Sequence, residues 1–180
     1  DFSQLNFSGM DLQNVHLFPY HKPGSTALLL PKTADFLHKT QVAKETFAPE
    51  GHSCDVTAVA VTADGQRCVS ASGDGTLRIW DMSSCQCLYT LVGHAGSVNA
   101  VSVTADGQHC VSASEDGTLR IWDIGSGKCL HTLKGHTSWV SAVSVTADGW
   151  HCISASFDDS LRVWGIGSGK CLHTLEGHTH

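Results

Sequence analysis

The sequence has little basic charge and no long apolar run. It holds 11 lysines and arginines against 17 aspartates and glutamates, a net charge of −6. A surface of that sign repels phosphates, so we expect neither nucleic acid nor an anionic membrane as partner. The longest apolar candidate, ALLL at 27–30, stops at Pro31. A membrane helix needs about 18 such residues, so none is expected. A charged-then-apolar start is also missing, and we expect no secretion signal.

What the sequence does contain is a repeat. SASGDGTLRIWD at 70–81 returns as SASEDGTLRIWD at 112–123 and as SASFDDSLRVWG at 154–165. The copies stand 42 positions apart, and Gly-His pairs recur at the same step from Gly51-His52 onward. A fixed period of about 40–45 residues predicts a repeat architecture. The predicted units are repeat 1 (51–92), repeat 2 (93–134), repeat 3 (135–176) and the start of a further unit (177–180).

Repeat 2 predicts four short antiparallel strands. Turn residues separate four β-rich segments: VNAVSVT (98–104), HCVSAS (109–114), TLRIWD (118–123) and CLHTL (129–133). Asp-Gly and Gly-Ser-Gly favour the tight turns of hairpins, and no helical period is present. The first segment is apolar enough to predict burial on both faces. The fold class is therefore all-β.

Six of the eight cysteines occupy two repeated strand positions. Cys68, Cys110 and Cys152 fall on the second strand, and Cys87, Cys129 and Cys171 on the fourth. Strands two places apart are separated by about 9–10 Å, beyond the ~7 Å that a disulfide spans between Cα atoms. Unpaired, buried cysteines predict a reducing compartment, and we expect a cytoplasmic protein.

The Gly-His opening, the Asp before the third strand and the closing Trp-Asp resemble the WD-repeat β-propeller family over residues 51–176. The resemblance implies that each repeat is a four-stranded propeller blade. It also implies that a His, a Ser, an Asp and a Trp form a buried hydrogen-bonded tetrad in each blade. The implied structural tetrads are His52, Ser72, Asp74 and Trp80; His94, Ser114, Asp116 and Trp122; and His136, Ser156, Asp158 and Trp164.

Three blades make an incomplete ring, because propellers typically close with 4–8 blades. Two ways to complete it follow: further blades in a longer chain, or a homo-oligomer. Gly177-His178-Thr179 begins a further unit and favours the longer chain.

The first fifty residues follow another pattern. Phe2, Phe7, Leu12 and Leu17 recur every five residues, which resembles a short pentapeptide-repeat segment. A Pro-containing linker at 18–33 follows, and 34–47 is predicted to continue the coil or to form a short helix. A pentapeptide-like segment followed by WD repeats is similar to bacterial NACHT or NB-ARC signalling ATPases, where such repeats act as the sensor.

No motif predicts an enzyme, a metal site or a cofactor. GSGK at 125–128 lacks the preceding Gly and the following Ser or Thr of a phosphate loop, so it predicts a turn. Most of the 12 histidines sit at equivalent repeat positions, too far apart for a tetrahedral metal site. The serines form no catalytic set separable from the tetrads.

Function is expected where the repeats differ from one another. In WD propellers the upper face is formed by residues before and within the first strand and before the tetrad Asp. At these places repeat 3 has Trp139 and Phe157, where the other repeats carry small or polar residues. Exposed aromatics are typical of protein-binding hot spots. The predicted partner-binding residues are Trp139, Phe157, Ser141, Asn99, Glu115 and Asp55.

The sequence therefore predicts a non-catalytic interaction scaffold that presents its upper face to a protein or peptide. Two alternatives remain open. One is the sensor region of a larger NACHT/NB-ARC-type signalling ATPase. The other is a structural unit that completes a propeller by oligomerisation.

Overall fold

A computed structural model describes residues 51–177, and every regular element in that range is a β-strand. The first fifty residues, with the pentapeptide-like segment and the linker, lie outside the described residues, as do residues 178–180. The strands are β1 (Val56–Val61), β2 (Arg67–Ser72), β3 (Leu77–Asp81), β4 (Cys87–Leu91), β5 (Val98–Val103), β6 (His109–Ser114), β7 (Leu119–Asp123), β8 (Cys129–Leu133), β9 (Val140–Val145), β10 (His151–Ser156), β11 (Leu161–Gly165) and β12 (Lys170–Leu175).

The strands form three separate antiparallel sheets, β1–β4, β5–β8 and β9–β12, each in chain order. Tight turns make this order possible. In the second sheet Gly117 has a φ of 78°, a conformation that glycine adopts without steric cost. Its amide closes the β6–β7 turn on the Ser114 carbonyl at 3.2 Å. Asp159 takes the same place in the third sheet with a φ of 62°, which Asp tolerates better than most residues.

The apolar cores lie between the sheets. Between the first and second sheets, Val69, Leu77 and Ile79 pack against a face that carries Cys110 and Trp122. The same faces meet between the second and third sheets, where Val111 and Leu119 are among the residues that pack against the face carrying Trp164. The second sheet thus buries one face against the first sheet and the other against the third. This is the packing of adjacent propeller blades, and the three sheets do not close into a ring.

Within residues 51–177, the two outward sheet faces at the ends of the stack have no neighbouring sheet. On the first sheet Val56 is 59% exposed and Met82 49% exposed, and Trp80 is only half-buried. We call this surface the leading face. On the third sheet Ile153 is 39% and Leu175 48% exposed, although their counterparts in the inner sheets are fully buried. We call this surface the trailing face.

Two expectations about burial are wrong. In β5 only Val98 is fully buried, because this strand is the edge of its sheet and pairs with β6 alone. Cys110 and Cys152 are buried as expected, but Cys129 and Cys171 are exposed, since their strands form the outer edge. All eight cysteines are unpaired. Within residues 51–177 no helix is long and apolar enough to cross a membrane.

Candidate functional site

A chain of side-chain hydrogen bonds crosses each sheet. In the second sheet the Trp122 indole N–H donates to Ser112 Oγ at 2.9 Å. Ser112 Oγ lies 2.8 Å from His94 Nε2, and His94 Nδ1 lies 2.9 Å from Asp116 Oδ2. An ionised carboxylate only accepts, so the imidazole proton belongs on Nδ1, and Nε2 accepts from the serine hydroxyl. A neutral histidine therefore satisfies every group in the chain.

The other two sheets repeat this arrangement. In the first, His52 lies 3.1 Å from Asp74 and 2.7 Å from Ser70, which accepts from Trp80 at 2.8 Å. In the third, the corresponding distances are 2.8, 2.7 and 2.8 Å for His136–Asp158, His136–Ser154 and Trp164–Ser154.

The serine of the tetrad is not the one that the resemblance implied. Ser70, Ser112 and Ser154 take that place instead of Ser72, Ser114 and Ser156. The strand register explains the correction. Trp80 pairs with Cys68, so Ser70 is its diagonal neighbour, whereas Ser72 lies at the far end of the strand. The Ser72 hydroxyl instead donates to the Cys54 carbonyl at 3.3 Å and accepts from the Asp74 amide at 3.1 Å.

Burial and hydrogen bonds set the pKa values of the tetrad carboxylates and of His94. Burial alone would raise the pKa of Asp116, but hydrogen bonds from Thr118, the Ala95 amide and His94 outweigh it and lower that pKa to about 2. The pKa values of Asp74 and Asp158 are lowered by equivalent bonds against the same effect of burial. Burial lowers the pKa of His94, and the opposing effect of Asp116 is smaller. In the second sheet these effects keep Asp116 ionised and His94 neutral, which is the state that the hydrogen bonds of the chain require.

Acid is expected to lower the free energy of unfolding over two pH ranges. Below about pH 6.5 the unfolded histidine takes up a proton while the folded His94, with its lowered pKa, resists it, so folding stability falls. From about pH 4 the unfolded carboxylates protonate while Asp116 stays ionised, and stability falls further toward pH 2. Thermal unfolding followed by circular dichroism from pH 8 to pH 3 tests this. A melting temperature that is constant or rises as the pH drops from 7 to 4 contradicts it.

Trp139 and Phe157 lie side by side at the upper end of the third sheet, the end that carries the β10–β11 turn. Their ring centroids are 6.1 Å apart with the planes at 83°, an edge-to-face contact. The Phe157 amide donates to the Trp139 carbonyl at 2.9 Å, which fixes the two backbones together. Even so, the side chains remain 53% and 67% exposed. The pair is a preformed apolar surface that the protein's own core does not use.

The other predicted partner-binding residues do not form one surface with this pair. Asn99 is half-buried, and its amide donates to the Val140 carbonyl of the next sheet at 3.1 Å. Ser141 is exposed and donates to Ala155 of its own sheet. Asp55 is exposed at the upper end of the first sheet, and half-buried Glu115 lies at the same end of the second. Of the predicted partner-binding residues, only Trp139 and Phe157 therefore form an exposed apolar pair.

In the described range, no group of three or more His, Cys, Asp and Glu residues stands close enough to hold a metal ion. GSGK at 125–128 forms the β7–β8 turn. Its Gly127 has a φ of 70° and packs so closely on Tyr89 that an added Cβ would lie 2.8 Å from the ring. A strand connection thus explains Gly127 of this motif.

Comparison with known proteins agrees with this geometry. Residues 43–81, 85–123 and 127–165 match the WD40 family model, described as WD domain, G-beta repeat. The chain belongs to the WD40 family. The second and third matched segments each begin just before the outer strand of one sheet and end with the third strand of the next. A WD40 sequence repeat therefore links two neighbouring blades, which agrees with the cores lying between the sheets.

Among relatives of this WD40 chain, the vegetative incompatibility protein HET-E-1 of Podospora anserina is 48% identical over 82 residues. That stretch is 46% of this chain and 6% of HET-E-1. Among solved structures, that of U3-55K has a TM-score of 0.69 at 27% identity, and that of the RRP9 WD40 repeats has 0.69 at 28%. Each alignment covers 72% of this chain and 41% of the solved one. The chain thus spans less than half the length of each of these proteins.

Proposed function

We propose that this chain is a non-catalytic interaction module whose third blade binds an apolar segment of a partner protein through Trp139 and Phe157. The exposed edge-to-face pair carries the proposal. Large aromatics lose little conformational entropy on binding and dominate interface energies, so two fixed ones make an efficient anchor. The unpaired cysteines fit the reducing cytoplasm as the setting.

The regular blades supply an internal contrast. At the positions of Trp139 and Phe157, repeat 1 has Asp55 and Gly73, and repeat 2 has Ser97 and Glu115. The backbone contact is the same in all three, with Gly73 donating to Asp55 and Glu115 to Ser97 at 2.9 Å each. Folding therefore does not require aromatics here. Their presence in one blade alone supports binding as their role.

Selection of peptides from a random display library on the full chain tests the proposal. We expect the enriched sequences to carry apolar or aromatic residues and to lose binding on a Trp139→Ser/Phe157→Glu variant. The matched control is Trp150→Gln, which removes an exposed Trp from the opposite end of the same sheet. Peptides that bind both variants as well as they bind the unchanged chain would refute the site.

A second candidate function is that of a sensor region in a larger NACHT/NB-ARC-type signalling ATPase. HET-E-1 supports it, because its name denotes an incompatibility response and the matched stretch is only 6% of its length. The full-length reading frame tests this candidate. A nucleotide-binding segment upstream of Asp1 is expected, and a frame without one excludes the sensor role.

A third candidate is assembly through the uncovered sheet faces. The leading face carries Trp80 and the trailing face Ile153, the counterparts of residues buried against each other inside the stack. Such faces are mutually complementary, and a head-to-tail contact between them would extend the ring.

Assembly predicts a mass that rises with concentration in light scattering, toward six or nine blades. Ile153→Glu places a charge in the trailing face and is expected to return the protein to a monomer, whereas Leu130→Glu on the exposed outer strand of the middle sheet is expected to have no such effect. A folded monomer at all concentrations contradicts assembly and leaves the first candidate intact.

A further inference from the structure

A cleft of about 270 Å³ opens at the lower end of the structure, between the second and third sheets. The lower end carries the β1–β2, β5–β6 and β9–β10 turns. Asp106 and His109 line the cleft from the second sheet, and Asp148, Trp150 and Ile166 from the third. Trp150 is 70% exposed, the most of any tryptophan described, and it forms an open aromatic wall.

The equivalent place between the first and second sheets is filled by an arginine. Arg67, the counterpart of His109, extends across the junction and donates from Nη1 to the Ile124 carbonyl at 3.1 Å. Its charge lowers the pKa of the neighbouring Asp64 and Asp123, after the larger effects of their own hydrogen bonds. One lower junction of this protein thus already holds a guanidinium that donates to a main-chain oxygen and lies near enough to two carboxylates to favour their ionised form.

Three residue differences distinguish the second junction from the first. His109 replaces Arg67, and among residues 51–177 no hydrogen bond reaches the Ile166 carbonyl that corresponds to that of Ile124. Gly165 replaces Asp123, which removes a side chain, and Trp150 replaces Gln108. The acceptor oxygen and Asp106, the counterpart of Asp64, remain, while Asp148 and the π-surface of Trp150 line the cleft from the third sheet.

Both carboxylates of the cleft are held ionised by their turns. Asp106 Oδ1 accepts from the Thr104 hydroxyl at 2.6 Å and from the Gln108 amide at 3.0 Å. Asp148 Oδ1 accepts likewise from Thr146 and Trp150. These bonds are the main cause of the lowered pKa of each carboxyl. In each case the second oxygen makes no bond within the described residues, so the charge is available to a ligand.

We propose that this cleft binds the guanidinium of an arginine side chain presented by a partner protein, in the place that Arg67 occupies at the first junction. A guanidinium stacks on an indole and donates to carbonyl and carboxylate oxygens from one plane, whereas the ammonium of lysine is a compact, strongly hydrated charge. The cleft therefore selects arginine over lysine. This site lies at the opposite end of the third blade from Trp139 and Phe157 and does not depend on the function proposed for them.

The test uses the full chain labelled with ¹⁵N and titrated with N-acetyl-arginine amide. We expect saturable shifts of the Trp150 indole and Gly149 amide resonances, with a dissociation constant on the order of 1 mM for a single side chain. Lysine amide is expected to bind at least about tenfold more weakly, a difference of roughly 1.4 kcal/mol. Citrulline amide, which has the same shape without the charge, is expected to give no saturation.

His109→Arg is the decisive variant, because it supplies the cleft with the arginine that the first junction already has. It is expected to abolish the titration, while His173→Arg, the same change of charge on the exposed strand β12, leaves it unchanged. Asp148→Asn keeps the Oδ1 acceptor of the turn, removes the charge and is expected to weaken binding about tenfold. Arginine that binds His109→Arg and Asp148→Asn as tightly as the unchanged chain, equal shifts with citrulline, or no saturable shift at all overturns the proposal.

Discussion

Replacing Trp122 by alanine is expected to lower the free energy of unfolding by about 3–5 kcal/mol. The indole is 2% exposed and lies in the core between the first and second sheets. Its loss leaves a cavity that the rigid sheets cannot fill, and Ser112 loses the donor at 2.9 Å that completes its hydrogen bonds. Urea unfolding of the purified chain measures the change.

Trp80→Ala is the matched control for that experiment. Trp80 makes the same hydrogen bond, to Ser70 at 2.8 Å, but it lies on the uncovered leading face and is only half-buried. Because burial energy scales with the area removed from water, we expect a smaller loss than at Trp122. Equal losses would show that the tetrad hydrogen bonds, and not the packing between sheets, dominate the contribution of these tryptophans.

Replacing Trp139 by Ser and Phe157 by Glu is expected to weaken binding of a selected apolar peptide by about 30-fold or more, which corresponds to roughly 2 kcal/mol. The substituted residues are those of repeat 2, Ser97 and Glu115, so the backbone of the turn accepts them. The stability change is expected to stay below about 1 kcal/mol, since only the exposed ring pair is lost.

Calorimetric titration of the same peptide into the double variant and into Trp150→Gln measures that loss. Both variants remove an exposed tryptophan from the third blade, one at the upper end and one at the lower. A general effect of lost surface hydrophobicity would weaken binding in both. Equal affinities in the double variant and in the unchanged chain would show that the aromatic pair is not the anchor.

The positions of the strands could be predicted from the sequence. The segment predicted at 109–114 is β6, and that predicted at 118–123 is β7, which begins one residue later at Leu119. The reason is local: Asp-Gly and Gly-rich turns fix where each strand ends, and three similar copies repeat the same signal. Propeller-like packing follows, because each sheet has two apolar faces that need a neighbour.

Features that depend on strand register or on contact with a neighbouring sheet could not be predicted from the sequence. Ser70 and Ser72 stand two residues apart on β2, so their side chains point to the same face. Only the pairing of Trp80 with Cys68 shows which of the two serines contacts the indole. Val69 and Ile153 are equivalent apolar residues, yet one is fully buried and the other exposed, because only the first has a following sheet. Likewise, the guanidinium site at the lower junctions can be identified only from the structure, where Arg67 of the first sheet contacts the Ile124 carbonyl of the second.

The proposed partner site was only partly predictable from the sequence. Trp139 and Phe157 were identifiable as departures from the repeat, and the structure adds that they touch and remain exposed. Asn99 differs from its counterparts as well, but its amide serves the junction with the next sheet. A departure from the repeat thus indicates a functional residue only if the side chain is free of structural contacts.

The footprint of a selected peptide on the ¹⁵N-labelled chain tests the central claim most directly. Binding through the upper end of the third blade predicts that the largest shifts fall on the Trp139 indole and on the amides of Phe157 and Ser141. The Trp80 indole on the leading face and the Ile153 amide on the trailing face are then expected to stay unchanged. Shifts centred on Trp80 or Ile153 would mean that the peptide merely covers an open blade, and they would contradict the claim.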